Sequence, residues 1–133
     1  MAPARTSPWL ALGVPLYLLF RPALLEELVF RALLLPHPSE RRSRGSVLRQ
    51  SIPAGFAFVA IHPINGMFFH HPPLLVFVDP VFLTLAALLG GVCIGAYLSS
   101  GSIWPPVLFH WLTVTVWILF LGGGRKLGWT MGG

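Results

Sequence analysis

Acidic side chains are almost absent: Asp and Glu together number 4 among 133 residues, and all charged residues make up only 10%. A soluble domain carries about 25% charged residues, so this chain cannot coat a water-facing surface. Cysteine is scarcer still. Cys93 is the only one and lies in an apolar run, which excludes an intrachain disulfide and a thiolate metal cluster and leaves the redox compartment open. What abounds is apolar: 55% of residues are hydrophobic and mean hydropathy is +0.75. A net charge of +5 would suggest nucleic acid in a soluble protein. Beside apolar segments, cations instead meet lipid headgroups and set topology. Membrane lipid is therefore an expected partner and nucleic acid is not.

Four apolar stretches organise the chain, at roughly residues 8–35, 51–62, 74–98 and 103–121. A bilayer core of about 30 Å needs about 20 helical residues. The third and fourth stretches meet that length, the first exceeds it, and the second is borderline, with Pro63 expected to bend or end it. An open sheet cannot satisfy its backbone in lipid, and four such segments cannot close a barrel. The expected fold is an all-α polytopic membrane bundle of about four transmembrane helices, forming a single domain over residues 1–133. The first twenty residues resemble a signal peptide in composition, but no small-x-small cleavage site is evident, so a retained first helix is expected. Gly91 and Gly95 form a small-xxx-small pattern that either admits a close neighbouring helix or reflects the frequency of glycine in membrane helices.

The linkers carry the polar residues. Residues 36–50 hold Glu40, Arg41, Arg42, Arg44 and Arg49 and belong in water. This loop favours the cytoplasm and places both termini outside, by four cations against Arg5, Arg125 and Lys126. The expected location is the cell (inner) membrane. His70 and His71 read as interfacial loop residues, and Asp79 as interfacial. Trp9, Trp104 and Trp129 read as interface anchors, with Trp111 and Trp117 facing lipid or neighbouring helices.

Arg21, Glu26, Glu27 and Arg31 fall inside the first apolar segment. Each costs roughly 2.5–3.5 kcal/mol in lipid on insertion scales, so they should pair or line a wet cavity. Glu27 and Arg31 have the i, i+4 spacing of a helical ion pair, with the acid on the favourable N-terminal side. Glu26 is left without a local partner, unless Arg21 or another helix supplies one, and an unpaired membrane carboxylate is a functional candidate.

His62 and His110 lie in the second and fourth segments. At 1.5 Å rise per residue, Glu26, His62 and His110 sit roughly 13, 16 and 10 Å below the surface nearest the arginine loop. Three polar groups at a similar depth can share one pocket. There a carboxylate and a neutral imidazole take a proton from water as it attacks a carbonyl, while a second imidazole donates to the oxyanion. The expected catalytic set is Glu26, His62 and His110, with Glu27 and Arg31 supporting and no cofactor. Zinc held by the same His/His/Glu set is the alternative, disfavoured by the lack of an HxxxH spacing.

Glu26-Glu27-Leu28-Val29-Phe30-Arg31, with Pro22 upstream, resembles the EExxxR motif of the CAAX-protease and bacteriocin-processing family of glutamate-dependent intramembrane proteases. Phe58-Val59-Ala60-Ile61-His62 resembles its FxxxH motif. The run from Ser102 to His110 resembles the approach to its HxxxN motif, and Gly91, Gly95 and Tyr97 its preceding glycine-rich helix. The resemblance covers residues 20–118. It implies an intramembrane endopeptidase acting on a membrane-associated peptide or protein. In that analogy Glu26 and His62 activate the water, His110 stabilises the oxyanion, and Glu27 and Arg31 brace the first motif.

Two positions depart from the family pattern. Val114 stands where the family has the asparagine of its last motif, and Ala32 where a glycine often follows the arginine. Valine offers no donor, so Thr113 or a residue elsewhere would have to complete the oxyanion site. The alternative is a non-catalytic member serving as a bacteriocin-immunity or membrane scaffold protein. A transporter or proton relay ranks third, since such folds usually show paired repeats. A chain this short also suits a homo-oligomer or a partner membrane protein.

Overall fold

The break before Pro22 and the left-handed Gly101 mark two of the helix ends. In this computed structural model, which describes residues 8–68 and 73–129, every regular element is helical. Helix α1 (Pro8–Leu18) carries Pro15 without a break. The interruption comes at Arg21, whose φ of −140° and ψ of 113° are extended. Pro22 follows, and a proline ring disfavours helical geometry in the residue before it. The chain then resumes through a short α turn, α2 (Leu25–Glu27), and a wider π-helical stretch, Leu28–Leu33. The first apolar segment is thus two helices joined at an angle.

Helix α3 (Arg44–Phe68) has 25 residues and contains both Pro53 and Pro63. Pro63 does not end it, contrary to the expectation from sequence. Short α4 (Pro73–Phe77) leads to α5 (Pro80–Ser100). Asp79 caps α5, accepting from the backbone N–H groups of Val81 at 2.8 Å and Phe82 at 3.1 Å, which satisfies donors that the helix leaves free. Gly101 closes α5 at a φ of +68°, the left-handed C-terminal position that glycine fills without a Cβ penalty. Helix α6 (Trp104–Phe120) starts on two prolines and is followed by α7 (Gly123–Lys126).

Among the described residues, α3 and α5 are long and apolar enough to cross a membrane. Helix α6 is apolar but has 17 residues, short of the full span expected from sequence. The molecule is an all-α membrane bundle. His70 and His71 lie outside the described residues, as does Arg5.

Helix α5 packs against both α3 and α6, and α6 also packs against the first segment. At the arginine-loop end, Leu35, Ala54 and Tyr97 form a buried cluster with Ile94, Leu98 and Ile103 against it. The loop is tied to that end by His37. Its Nε2–H donates to the carbonyl of Gly101 at 3.0 Å, which leaves Nδ1 to accept from Ser39. At the far end Trp117 packs on Phe82 and Gly123, and Trp129 on Tyr17. Trp111 donates to the carbonyl of Pro15 at 2.8 Å. Trp111 and Trp117 therefore face neighbouring helices, while Trp104 is exposed.

Gly91 and Gly95 are exposed, and a Cβ at either would meet nothing within 4 Å. No described helix uses that small-residue pair. The close approach falls instead at Gly90, where a Cβ would lie 2.9 Å from the Phe58 ring.

Candidate active site

Burying charge demands pairing, and the first segment pairs its own. Glu27 and Arg31 are both 0% exposed, with Arg31 Nε 2.9 Å from Glu27 Oε2. The guanidinium is held on two further sides. Its Nη2 donates to the carbonyl of Gly90 at 3.4 Å, and its carbon lies 4.7 Å from the centroid of Phe58, a cation–π distance. The ion pair read from the i, i+4 spacing is present.

Glu27 has a second partner that the sequence did not reveal. Nδ1 of His110, on α6, lies 2.8 Å from Glu27 Oε1. An ionised carboxylate only accepts, so Nδ1 carries the proton. The other ring nitrogen, Nε2, then points at Glu26, 3.7 Å from its Oε2. That oxygen is buried and has no hydrogen-bond partner among the described residues. A separation of 3.7 Å is too long for a direct hydrogen bond and suits a bridging water. The partner left open for Glu26 is thus a residue of another helix. Arg21 is exposed and makes no ion pair among the described residues.

Charge counting explains why this cluster can be buried. Glu27 and Arg31 cancel, and Glu26 with neutral His110 would carry one uncompensated negative charge. One proton between Glu26 Oε2 and His110 Nε2 would make the group neutral and so minimise its desolvation cost.

His62 is nearby but not joined. It lies on α3 with Nδ1 2.8 Å from the carbonyl of Phe58. A carbonyl only accepts, so Nδ1 is the donor and Nε2 keeps its lone pair. The ring packs edge-on against Phe58, Phe77 and Phe82. Among the described residues, no hydrogen bond or ion pair connects His62 to Glu26 or His110. Phe58 links them physically: its centroid is 5.2 Å from His62 and 5.7 Å from His110, both edge-to-face. Glu26, Glu27, Arg31 and His110 form one contacting group, and His62 stands across the Phe58 ring from it.

Phe58 and Gly90 are the residues that sequence reasoning undervalued. Phe58 is 1% exposed and touches Phe30, Arg31, His62 and His110. It appeared in the sequence only as the first letter of a motif. Gly90 went unnoticed beside Gly91 and Gly95, because nothing local distinguishes a glycine that a ring will cover.

The proposed replacement for the missing asparagine is not where it is needed. The Thr113 hydroxyl is exposed and donates to the carbonyl of Phe109 on its own helix at 2.8 Å. Val114 is half-buried, one helical turn beyond His110. Cys93 is buried, with its thiol 3.5 Å from the carbonyl of Pro106. No group of three His, Cys, Asp or Glu side chains among the described residues is arranged to hold a metal. Both Glu27 oxygens are engaged, which leaves Glu26 and His110 Nε2 as the contiguous free donors.

A protein-family model, described as type II CAAX prenyl endopeptidase Rce1-like, matches residues 7–116 of the 133. That stretch includes α3, α5, every residue of the buried cluster and His62. No curated protein and no solved structure gives a significant match.

Proposed function

Since the chain belongs to the Rce1-like family of type II CAAX prenyl endopeptidases, we propose that it hydrolyses a peptide bond of a membrane-associated substrate with water activated at Glu26. The observation that carries this reading is the facing pair of Glu26 Oε2 and His110 Nε2, 3.7 Å apart, with Glu27 fixing the far nitrogen of the imidazole.

The chemistry runs on these residues alone. Glu26 takes a proton from the water as the water oxygen bonds to the scissile carbonyl carbon, while His62 stands across the Phe58 ring from this pair. His110 donates from Nε2 to the carbonyl oxygen as negative charge develops there, and Glu27 at Nδ1 stabilises the imidazolium. Collapse of the tetrahedral intermediate breaks the C–N bond, and the proton held by Glu26 passes to the leaving amine. Glu27 and Arg31 position His110 rather than react. The free donors described above suit a bridged water better than zinc, so chelators are expected to leave activity unchanged.

The deciding experiment is cleavage of a fluorogenic peptide panel, with and without a prenylated cysteine, by purified protein in detergent. Wild type should cleave, and Glu26→Gln should lose about 10²–10⁴ in rate, the usual contribution of a positioned general base. Cleavage that persists in Glu26→Gln would refute the assignment. A second reading, a non-catalytic immunity or scaffold protein of the cell (inner) membrane, is favoured by the absence of a donor at Val114 and the outward turn of Thr113. Absence of cleavage by folded wild type across the panel would favour it.

A further inference from the structure

The active-site cluster packs against α3 and α5 through Phe58 and Gly90. On the outer side the same two helices leave a groove of about 380 Å³, within the usual size of ligand sites. Ser51, Gly55 and Val59 of α3 face Ala87, Gly91 and Ile94 of α5 across it. The space exists because the facing positions are small. A Cβ on Gly91 would meet nothing within 4 Å, and one on Gly55 would touch only Ile94 at 3.5 Å. Exposed Ile52 and Phe56 of α3 also line it. The lining is predominantly apolar, which suits a hydrocarbon chain.

Two features at one end point to the occupant. Ser51 lines the groove and is 7% exposed, and its buried hydroxyl has no hydrogen-bond partner among the described residues. Beyond it lies the positive charge. Arg44 precedes Ser51 by seven residues and so shares its helical face about 10 Å further toward the loop. Arg49 adjoins Ile52 at i, i+3. Both arginines are exposed and, like Arg41, make no ion pair among the described residues, whereas Arg42 is already held by Glu40.

We propose that this groove binds one acyl chain of an anionic phospholipid, with its phosphate on Arg44 and Arg49 and its ester region beside Ser51. An apolar groove with two cations beyond its Ser51 end matches a molecule with a hydrocarbon tail and an anionic head. Anionic lipid gains roughly five-fold per arginine near the bilayer surface, so the pair predicts about a ten- to thirty-fold preference over zwitterionic lipid. The inference concerns binding and does not depend on catalysis.

The test is lipid retention by the intact chain, counted by native mass spectrometry after exchange into phosphatidylglycerol or phosphatidylcholine with identical acyl chains. Wild type should keep one phosphatidylglycerol about ten- to thirty-fold better than phosphatidylcholine. Gly91→Leu fills the slot from a position with open space, and should reduce retention at least ten-fold while circular dichroism stays helical. Arg44→Gln with Arg49→Gln should retain both lipids equally. Equal retention of the two lipids by wild type, or unchanged retention in Gly91→Leu, would overturn the proposal. So would a wild-type dimer that Gly91→Leu dissolves without a change in lipid, which assigns the groove to a second copy. Retention blind to headgroup but displaced by a farnesylated peptide would assign it to substrate instead.

Discussion

His110 Nδ1 and Glu27 Oε1, 83 residues apart in the chain, lie 2.8 Å from each other in the middle of the bundle. This contact orients the imidazole whose other nitrogen faces Glu26, and makes Glu27 a positioning residue as well as the counterion of Arg31.

Removing one partner of a buried charge pair costs roughly 3–5 kcal/mol, because the other charge is left uncompensated. Glu27→Gln is therefore expected to lower the folded yield and the thermal midpoint in detergent. Glu26→Gln, at the partly exposed member of the cluster, should leave both near wild type. Size-exclusion recovery and thermal unfolding measure the difference, and equal losses for the two variants would remove the division of labour between the adjacent glutamates.

Val114→Asn should raise peptidase activity if the site is catalytic but short of one oxyanion donor, since such a donor is worth about 10²–10³ in rate. Position 114 is one turn from His110 on the same helical face and half-buried. The gain must vanish in the double variant with Glu26→Gln. Wild-type activity that is already substantial and indifferent to the asparagine would mean another group stabilises the oxyanion.

Adjacent glycines should respond oppositely to alanine. Gly90→Ala puts a methyl 2.9 Å from the Phe58 ring, a displacement expected to cost about 1–3 kcal/mol and to lower activity by moving the surface between His62 and His110. Gly91→Ala meets nothing within 4 Å and should be neutral or stabilising by up to about 1 kcal/mol, through helix propensity. Thermal unfolding of the two variants side by side decides it. Similar midpoints would show that Phe58 is not wedged against Gly90.

The Glu40 contact in the arginine loop should loosen only below the ordinary glutamate range. The backbone N–H of His37 donates to Glu40, and Arg42 lies beside it, and these hold the Glu40 carboxyl below the ordinary glutamate range. A depressed folded value means the contact is fully present above the unfolded value and is lost as pH falls through the folded one. The amide resonance of His37, followed by nuclear magnetic resonance in micelles, should titrate below the normal glutamate midpoint. A midpoint at or above normal would remove the Glu40 cap.

The all-helical membrane fold and the ion pair of Glu27 and Arg31 were legible in the sequence, because both depend on composition or on spacing within one helix. The proximity of Glu26 and His110 was suggested by their similar depth below one surface, a one-dimensional quantity that helix rise supplies. Rotation about each helix axis was not legible. It decides that Gly90 rather than Gly91 or Gly95 is covered, that Thr113 turns outward, and that His62 meets Phe58 instead of Glu26. It also places Glu27 against His110. Hydrophobicity has little directional power where lipid and core are alike apolar. Which face of each helix turns inward is settled by packing of specific shapes and by pairing of buried charges, and both require all the helices at once.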